Sequence, residues 1–530
     1  MTNLNPLFLT DFYKQSHADF YNPKTEVVYS TFTPRKSRMQ GVNKVVVFGL
    51  QYFVKKYLLQ EFNENFFKRD QEEIVSEYLR LMKNTIGDTG IGEQRIRDLH
   101  NLGYLPVKIC ALEEGTLCPM RVPMLTIENT LPEFYWVTNF LETLMCNSLW
   151  LPCTSATTSL EYHKILNKWS KKTCDNDEHL KFQAHDFSLR SMSCMEAGAI
   201  SGLAHLLNFV GTDTIPAIAM AEKYYNADIE KELVSSSIKA TEHSVQETNI
   251  LFNNSTDLAE GEYENLKDIL ERMGSKATFS YVADTYNLWD FITKVLPRLK
   301  DEILNREGKL VVRPDSGNPC DIICGLNTSD YRLSNGTDGK LCTIENDDNV
   351  GKILVPIENQ KYADERYKGV IELLWDIFGG TINSKGYKVL NPHIGAIYGD
   401  SITKERAEEI CRRLEQKGFA SSNIVFGIGG YSFQYVTRDT FGFALKATYG
   451  VVDGKEIQLY KDPITDSGEK KSQKGRVCVY KDKNGELTYT DGMINETSVH
   501  ENCLLPLFED GKLLRETSLQ EIRDRIKGEI

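Results

Sequence analysis

The sequence predicts an α/β protein, a parallel barrel flanked by an α+β domain built from both chain ends. Three observations lead there. After residue 180, a strand-like run ending in a polar or glycine cluster recurs as LKFQAHDFSLR, NFVGTDT, VSSSIKATEHS, ATFSYVADTYN, GKLVVRPDSGNP, HIGAIYGDS and NIVFGIGGY. Helix-like stretches lie between these runs, at 195–209, 215–225, 244–252, 288–304 and 403–417. Strand, polar loop and helix in alternation mean parallel strands joined by crossover helices. Finally, 530 residues exceed one ordinary core, so a barrel needs a companion domain.

The elements follow in three parts. Residues 1–180 read as mixed α/β, with helices at 52–67 and 71–84 and strands at 107–111 and 124–128. Residues 181–440 carry the alternation. Residues 441–530 read as strands again, with turns at Asp453-Gly454 and Asn484-Gly485. The first and last parts are expected to pack as one flanking domain. Within the barrel, 320–362 is rich in Asn, Asp, Gly and Lys and shows little period. It is expected as a surface insertion, either a hairpin or a partly mobile loop.

The balance of 41% hydrophobic and 26% charged residues, with mean hydropathy -0.37, is that of a soluble globular enzyme rather than a disordered chain. A net charge of -13 gains nothing from a phosphate backbone, which argues against nucleic acid as a partner. No apolar run approaches the roughly 18–20 residues of a membrane span, so no membrane role is expected. The start MTNLNPLFLTDFYK does not read as a secretory signal. Twelve scattered cysteines without finger spacing suit reduced thiols, hence a cytoplasmic location and no zinc site.

In a parallel barrel the loops after the strands open on one face, so these clusters should converge there. GKLVVRPDSGNP ends with Arg313, a planar fork for phosphate or carboxylate, and Asp315, a carboxylate for a sugar hydroxyl or Mg²⁺. The pair suggests a phosphorylated sugar. Gly427, Gly429 and Gly430 allow backbone N–H groups to approach an anion, or form a tight strand-end turn. Asp213 precedes a helix that its side chain could cap. His243 stands beside Glu242 at a helix entry.

HDFSLR, GTDT, EHS, RPDSGNP, YGD, FGIGGYSFQYVTRD and KDP…KKSQKGR occur in this order, with TDFYKQSH and VFGLQYFVKKYL ahead of them. This set resembles the nicotinamide phosphoribosyltransferases, type II phosphoribosyltransferases of NAD salvage, over nearly the whole chain. The resemblance implies their irregular α/β barrel and a pentosyl transfer. Nicotinamide and 5-phosphoribosyl-1-pyrophosphate would give nicotinamide mononucleotide and pyrophosphate. Mg²⁺ would be held through substrate phosphates, with no protein metal ligands assigned, and ATP would be a co-substrate acting through a phosphohistidine.

The resemblance also implies roles for individual residues. His243, Asp284 and Asp315 would be catalytic, with Asp284 holding the second ring nitrogen of His243. Phe187 and Tyr13 would sandwich the nicotinamide ring, with Asp213, Ser280, Arg313 and Arg190 around it. Asp213 would accept from the amide and repel the carboxylate of nicotinate, since like charges about 4 Å apart cost roughly 4 kcal/mol at an effective dielectric near 20. Gly399, Asp400, Gly429, Gly430, Arg438 and Ser237 would hold ribose and 5′-phosphate, and Arg35, Arg190 and Lys446 the pyrophosphate. Asp11, Tyr13, Arg35 and Lys446 would come from the second subunit of a homodimer. Ile428, Tyr431, Ser401, Ser188, Leu189 and Ser191 depart from the family pattern. The alternatives are a nicotinate phosphoribosyltransferase and, in a different class, a non-catalytic binding or signalling protein on the same fold.

Overall fold

Seven short parallel strands carry most of the expected site residues at or just beyond their carboxyl ends. They are β1 (Ala184–Asp186), β2 (Gly211–Thr212), β3 (Lys239–Ala240), β4 (Phe279–Val282), β5 (Leu310–Arg313), β6 (Ile394–Tyr398) and β7 (Ile424–Ile428). In this computed structural model residues 4–334, 339–347, 350–465, 471–494 and 500–529 are described. The sheet order is β2-β1-β7-β6-β5-β4-β3, and every pairing is parallel. A further parallel bridge joins Gly211 to Ser236, just ahead of β3. There Ser236 N donates to Val210 O at 2.7 Å and Thr212 N to Ser236 O at 3.2 Å. The two edges of the sheet therefore meet and the barrel closes.

β4 is buried along its whole length and β7 nearly so, as expected for strands covered on both faces. The crossover helices start with side-chain caps. Asp257 accepts from Glu260 N ahead of Leu258–Met273, and Thr403 accepts from Arg406 N ahead of Lys404–Gln416. The helix expected at 288–304 is broken into Leu288–Asp290, a wide π turn at Phe291–Val295, a tight turn at Leu296–Leu299 and Lys300–Leu304. Pro297 explains the break, because it has no N–H and crowds the carbonyl four residues back.

The segment 320–362 differs from its expectation at its start. Pro319–Cys324 is a helix capped by Asn318, with Cys320, Ile323 and Cys324 buried in the barrel's core. The rest forms an antiparallel sheet of Tyr331–Leu333, Leu341–Asp347 and Gly351–Pro356, apart from 335–338 and 348–349, which lie outside the described residues, as does Lys470 of the KKSQKGR motif.

The second sheet is antiparallel and runs Lys455–Gln458, Ala444–Val452, Thr25–Thr33, Leu125–Asn129, Val107–Ala111, Leu505–Glu509 and Lys512–Leu513. Both chain ends thus share one sheet over a core of their own. Asp453 and Gly454 both take positive φ in the turn between two of these strands. The domain boundaries need correction. One unit comprises 1–157, 217–232 and 436–530, the other 158–216 and 233–435, rather than divisions near 180 and 440. The first division falls inside one long helix, Glu142–Thr173, so no loop marks it.

Residues 217–232 join the flanking unit because polar groups anchor them there. Tyr225 Oη donates to Glu114 Oε1 at 3.0 Å, Gln51 Nε2 donates to Tyr224 O, and Asn226 Nδ2 donates to Glu516 at 3.0 Å. Glu114 also accepts from Leu50 N at 2.6 Å, at the start of helix Leu50–Phe53. Burial pushes its carboxyl up to about 7, against the hydrogen bonds from Tyr225 and the backbone.

Candidate active site

The barrel opens a cavity of about 530 Å³ at the carboxyl ends of its strands. Phe187, Arg190, Asp213, Arg313, Asp315 and Gly399 are among the residues lining it. A narrower, more apolar cavity of about 160 Å³ shares Phe187, Asp213 and Arg313 with the first, and adds His185, Ser237 and Ser280. Clusters spread over more than two hundred residues of sequence therefore meet.

Phe187 is half-buried against the cavity. Its N–H donates to Ile428 O at 2.8 Å, across the β1–β7 pairing. Gly427 lets the ring sit low, since a Cβ there would lie 2.7 Å from Phe187 Cδ2 and 2.8 Å from Gly399 Cα. Asp213 does not cap the following helix. Its Oδ1 accepts from His185 Nε2 at 2.8 Å and from Ser237 Oγ at 2.7 Å. Burial works against its charge, but these bonds and the charges of His185 and Arg313 hold the carboxyl below its ordinary value. Ser237, expected beside ribose and phosphate, donates to Asp213 in this structure. Arg313 Nη2 donates to Thr241 O at 2.9 Å, while its Nε is buried without a partner. Ser280 is buried with its hydroxyl unpaired.

A carboxylate group lies on the other side of Arg313. Burial and the charges of Asp284 and Asp400 push the Asp315 carboxyl up, while Arg313 and His243 pull it down. Gly399 makes room for Asp315, whose Oδ1 would lie 2.6 Å from a Cβ there. Asp284 does not hold His243 as expected. Its Oδ2 accepts from Asp315 N at 3.1 Å and Ser316 Oγ at 2.5 Å, fixing the loop after β5. His243 Nδ1 faces Thr285 Oγ1 at 3.3 Å instead, with the ring at the first position of helix His243–Asn253. The other Asp284 oxygen is buried without a partner.

Gly429 has open space where its side chain would be, and Gly430 packs against Ser191, one of the departures from the family pattern. Arg190 and Asp400 are exposed. The remaining expected residues belong to the flanking unit. Arg438 is exposed and paired with Asp439 at 3.1 Å, and Asp11 accepts from Thr143 at 2.6 Å. Tyr13 is 57% exposed. Arg35 Nε donates to Gly442 O at 2.8 Å, and Lys446 pairs with Glu142 at 3.4 Å.

Sequence reasoning missed His185, Thr241 and Thr285. His185 stands one place before Asp186 in a strand, and its alternation with Phe187 was the available signal.

Residues 182–502 match the model of the nicotinate phosphoribosyltransferase family, and 5–109 match that of the nicotinamide phosphoribosyltransferase N-terminal domain. The chain is 41% identical to a nicotinamide phosphoribosyltransferase of Acinetobacter baylyi, over 99% of this chain and 98% of that one. It is 31% identical to one of Xanthomonas campestris pv. campestris, over 98% and 97%. A crystal structure of nicotinate-nucleotide pyrophosphorylase from Pyrococcus furiosus shares the fold, with a TM-score of 0.54 at 17% identity over 98% of this chain and 94% of that one.

Proposed function

Because the chain belongs to the nicotinate phosphoribosyltransferase family, we propose that it transfers the phosphoribosyl group of 5-phosphoribosyl-1-pyrophosphate to nicotinamide in NAD salvage, giving nicotinamide mononucleotide and pyrophosphate. The observation that carries the choice of nicotinamide is the Asp213 carboxylate, held by His185 and Ser237 on the wall it shares with Arg313. An acceptor and a donor side by side match an amide, whose N–H donates and whose carbonyl accepts. A carboxylate in the same place would meet Asp213 as a like charge.

The residues divide the work. Phe187 orients the pyridine ring by stacking. Asp315 and Asp400 offset the positive charge that grows on the ribose as pyrophosphate leaves. Gly429 and Gly430, with Arg438, hold the 5′-phosphate, and Arg190 the leaving group.

Mg²⁺ suits this site. The raised Asp315 carboxyl and the orphaned Asp284 oxygen favour a cation. Among the described residues no three His, Cys, Asp or Glu side chains form a metal cage, so one or two carboxylates and the donor's phosphates would hold the ion. Bound there, it would neutralise charge on the pyrophosphate.

ATP is the co-substrate in this reading, with His243 accepting its phosphoryl group at a helix N-terminus that favours the added charge. Asp11, Tyr13, Arg35 and Lys446 act from the second chain of a homodimer. A cytoplasmic location agrees with twelve cysteines that form no disulfide. Among the described residues no helix is long and apolar enough to cross a membrane.

The test is to follow labelled nicotinamide with the phosphoribosyl donor, with and without ATP, and to repeat it with labelled nicotinate. Labelled mononucleotide from nicotinamide alone supports the reading. Equal or greater use of nicotinate overturns it.

A further inference from the structure

The flanking unit has a cavity of its own, about 250 Å³, beside the pairing of Thr25–Thr33 with Ala444–Val452. Arg35, Arg121, Lys446 and Lys471 line it, against the carboxylate of Asp491. In a chain of net charge -13 such a gathering of cations creates a local field for an anion.

Arg121 is the unusual member. Its φ is +72°, the left-handed region that glycine and, less often, asparagine or aspartate occupy without difficulty. The surroundings impose this geometry. Arg121 N donates to Pro34 O at 2.6 Å, and Gln473 Nε2 donates to Arg121 O at 3.0 Å. Gln473 is itself fixed by Thr31 Oγ1, which donates to its Oε1 at 3.1 Å. A turn needing only this backbone would be better served by glycine, so the arginine side chain must supply something else.

The other cations are engaged within the protein. Lys446 pairs with Glu142 at 3.4 Å, Lys471 with Asp462 at 3.1 Å, and Arg35 Nε bonds Gly442 O. Among the described residues the Arg121 guanidinium makes no hydrogen bond or ion pair, although it lines the cavity. A guanidinium left unpaired beside three other cations is a planar fork for phosphate oxygens.

We propose that Arg121 is an oligophosphate-binding residue, completing with Arg35 and Lys446 a subsite for a pyrophosphate-type anion on the flanking unit. The identity of the anion as the donor's pyrophosphate rests on the function proposed above; the subsite itself rests on the cavity and on Arg121. The strained backbone is then the cost of holding a donor fork at that point.

Arg121→Gly separates charge from strain, because glycine keeps the turn and relieves the φ. Calorimetric titration of the full-length protein with pyrophosphate and with tripolyphosphate, without nicotinamide, reads the subsite directly. Arg121→Gly should melt at a higher temperature than the wild type yet bind either anion about tenfold more weakly or worse, with KM for the phosphoribosyl donor raised and KM for nicotinamide unchanged. Anion affinity within twofold of the wild type, in a variant that melts no lower, overturns the proposal. A protein that makes no nicotinamide mononucleotide but still loses anion affinity in Arg121→Gly overturns the proposed function and leaves this subsite standing.

Discussion

His185 Nε2 donates to Asp213 Oδ1 across 2.8 Å, and the same imidazole ring lies 4.6 Å from the ring of Phe187. One side chain therefore supports both the carboxylate proposed to read the amide and the ring proposed to stack on the pyridine. The bond also fixes which His185 nitrogen carries the proton, and it leaves Asp213 Oδ2 for a ligand.

Asp213→Ser should reduce kcat/KM for nicotinamide by about 10–100-fold, the worth of a charge-assisted hydrogen bond of ~1.5–3 kcal/mol. Use of nicotinate should rise relative to it. The two kcat/KM values, measured in parallel, decide the matter; an unchanged ratio would mean that Asp213 only shapes the barrel edge.

His243→Ala should abolish ATP hydrolysis and raise KM for the phosphoribosyl donor, while a weak ATP-independent transfer survives on Asp315, Arg438 and the ring stack. Brief incubation with γ-labelled ATP should leave an acid-labile, base-stable label on the wild type and none on the variant. Because Nδ1 faces Thr285 at 3.3 Å, Thr285→Val should reduce labelling without removing it. Label persisting in His243→Ala sinks the assignment.

Tyr13 and Asp315 belong to different units of the chain. If the ring acts on the partner's site, mixing inactive Tyr13→Ala with inactive Asp315→Ala chains should restore part of the activity in heterodimers. Heterodimers that form and stay inactive would rule out sharing.

Gly427→Ala should push Phe187 out of line, because the new methyl would meet its ring edge at 2.7 Å as well as the Tyr398 carbonyl at 2.8 Å. Overpacking of this kind costs about 1–3 kcal/mol. The expected result is a lowered melting temperature with KM for nicotinamide raised more than KM for the donor. Equal changes in both constants would show that the ring is not what moves.

Glu114 supplies a pH prediction. Its folded carboxyl sits near 7 against an unfolded value of about 4.3. The folded state thus binds the proton more tightly, and the stability this lends is complete below about pH 4 and lost as pH rises through about 7. Glu114→Gln keeps the acceptor for Leu50 N and cannot ionise. Its melting temperature should fall less between pH 5 and pH 8 than that of the wild type, and parallel curves would refute the shift.

Much of the barrel was legible because its strands are short apolar runs ending in charged or glycine clusters, and β5 runs from Leu310 to Arg313 as read from the sequence. The convergence of Phe187, Asp213, Arg313 and Asp315 followed from topology. The pairings at the site were not legible. Asp284 and Thr285 are adjacent, and only the fold decides which one faces His243. Helix Glu142–Thr173 escaped notice because Pro152 reads as a stop, whereas tertiary packing carries the helix through it. The departure of 217–232 into the flanking unit depends on Glu114 and Gln51, more than a hundred residues upstream.

In the antiparallel sheet, Thr25–Thr33, Leu125–Asn129 and Val107–Ala111 form the middle, and every strand outside them comes from beyond residue 440. On the ribosome these three strands emerge early and would present both edges bare until the chain is nearly finished. At ~5–20 residues per second the delay is on the order of tens of seconds. Bare edges invite pairing with other nascent chains, so this interval is when the protein most needs chaperone cover. A truncation that removes the last hundred residues should therefore aggregate during synthesis even if the barrel strands are intact.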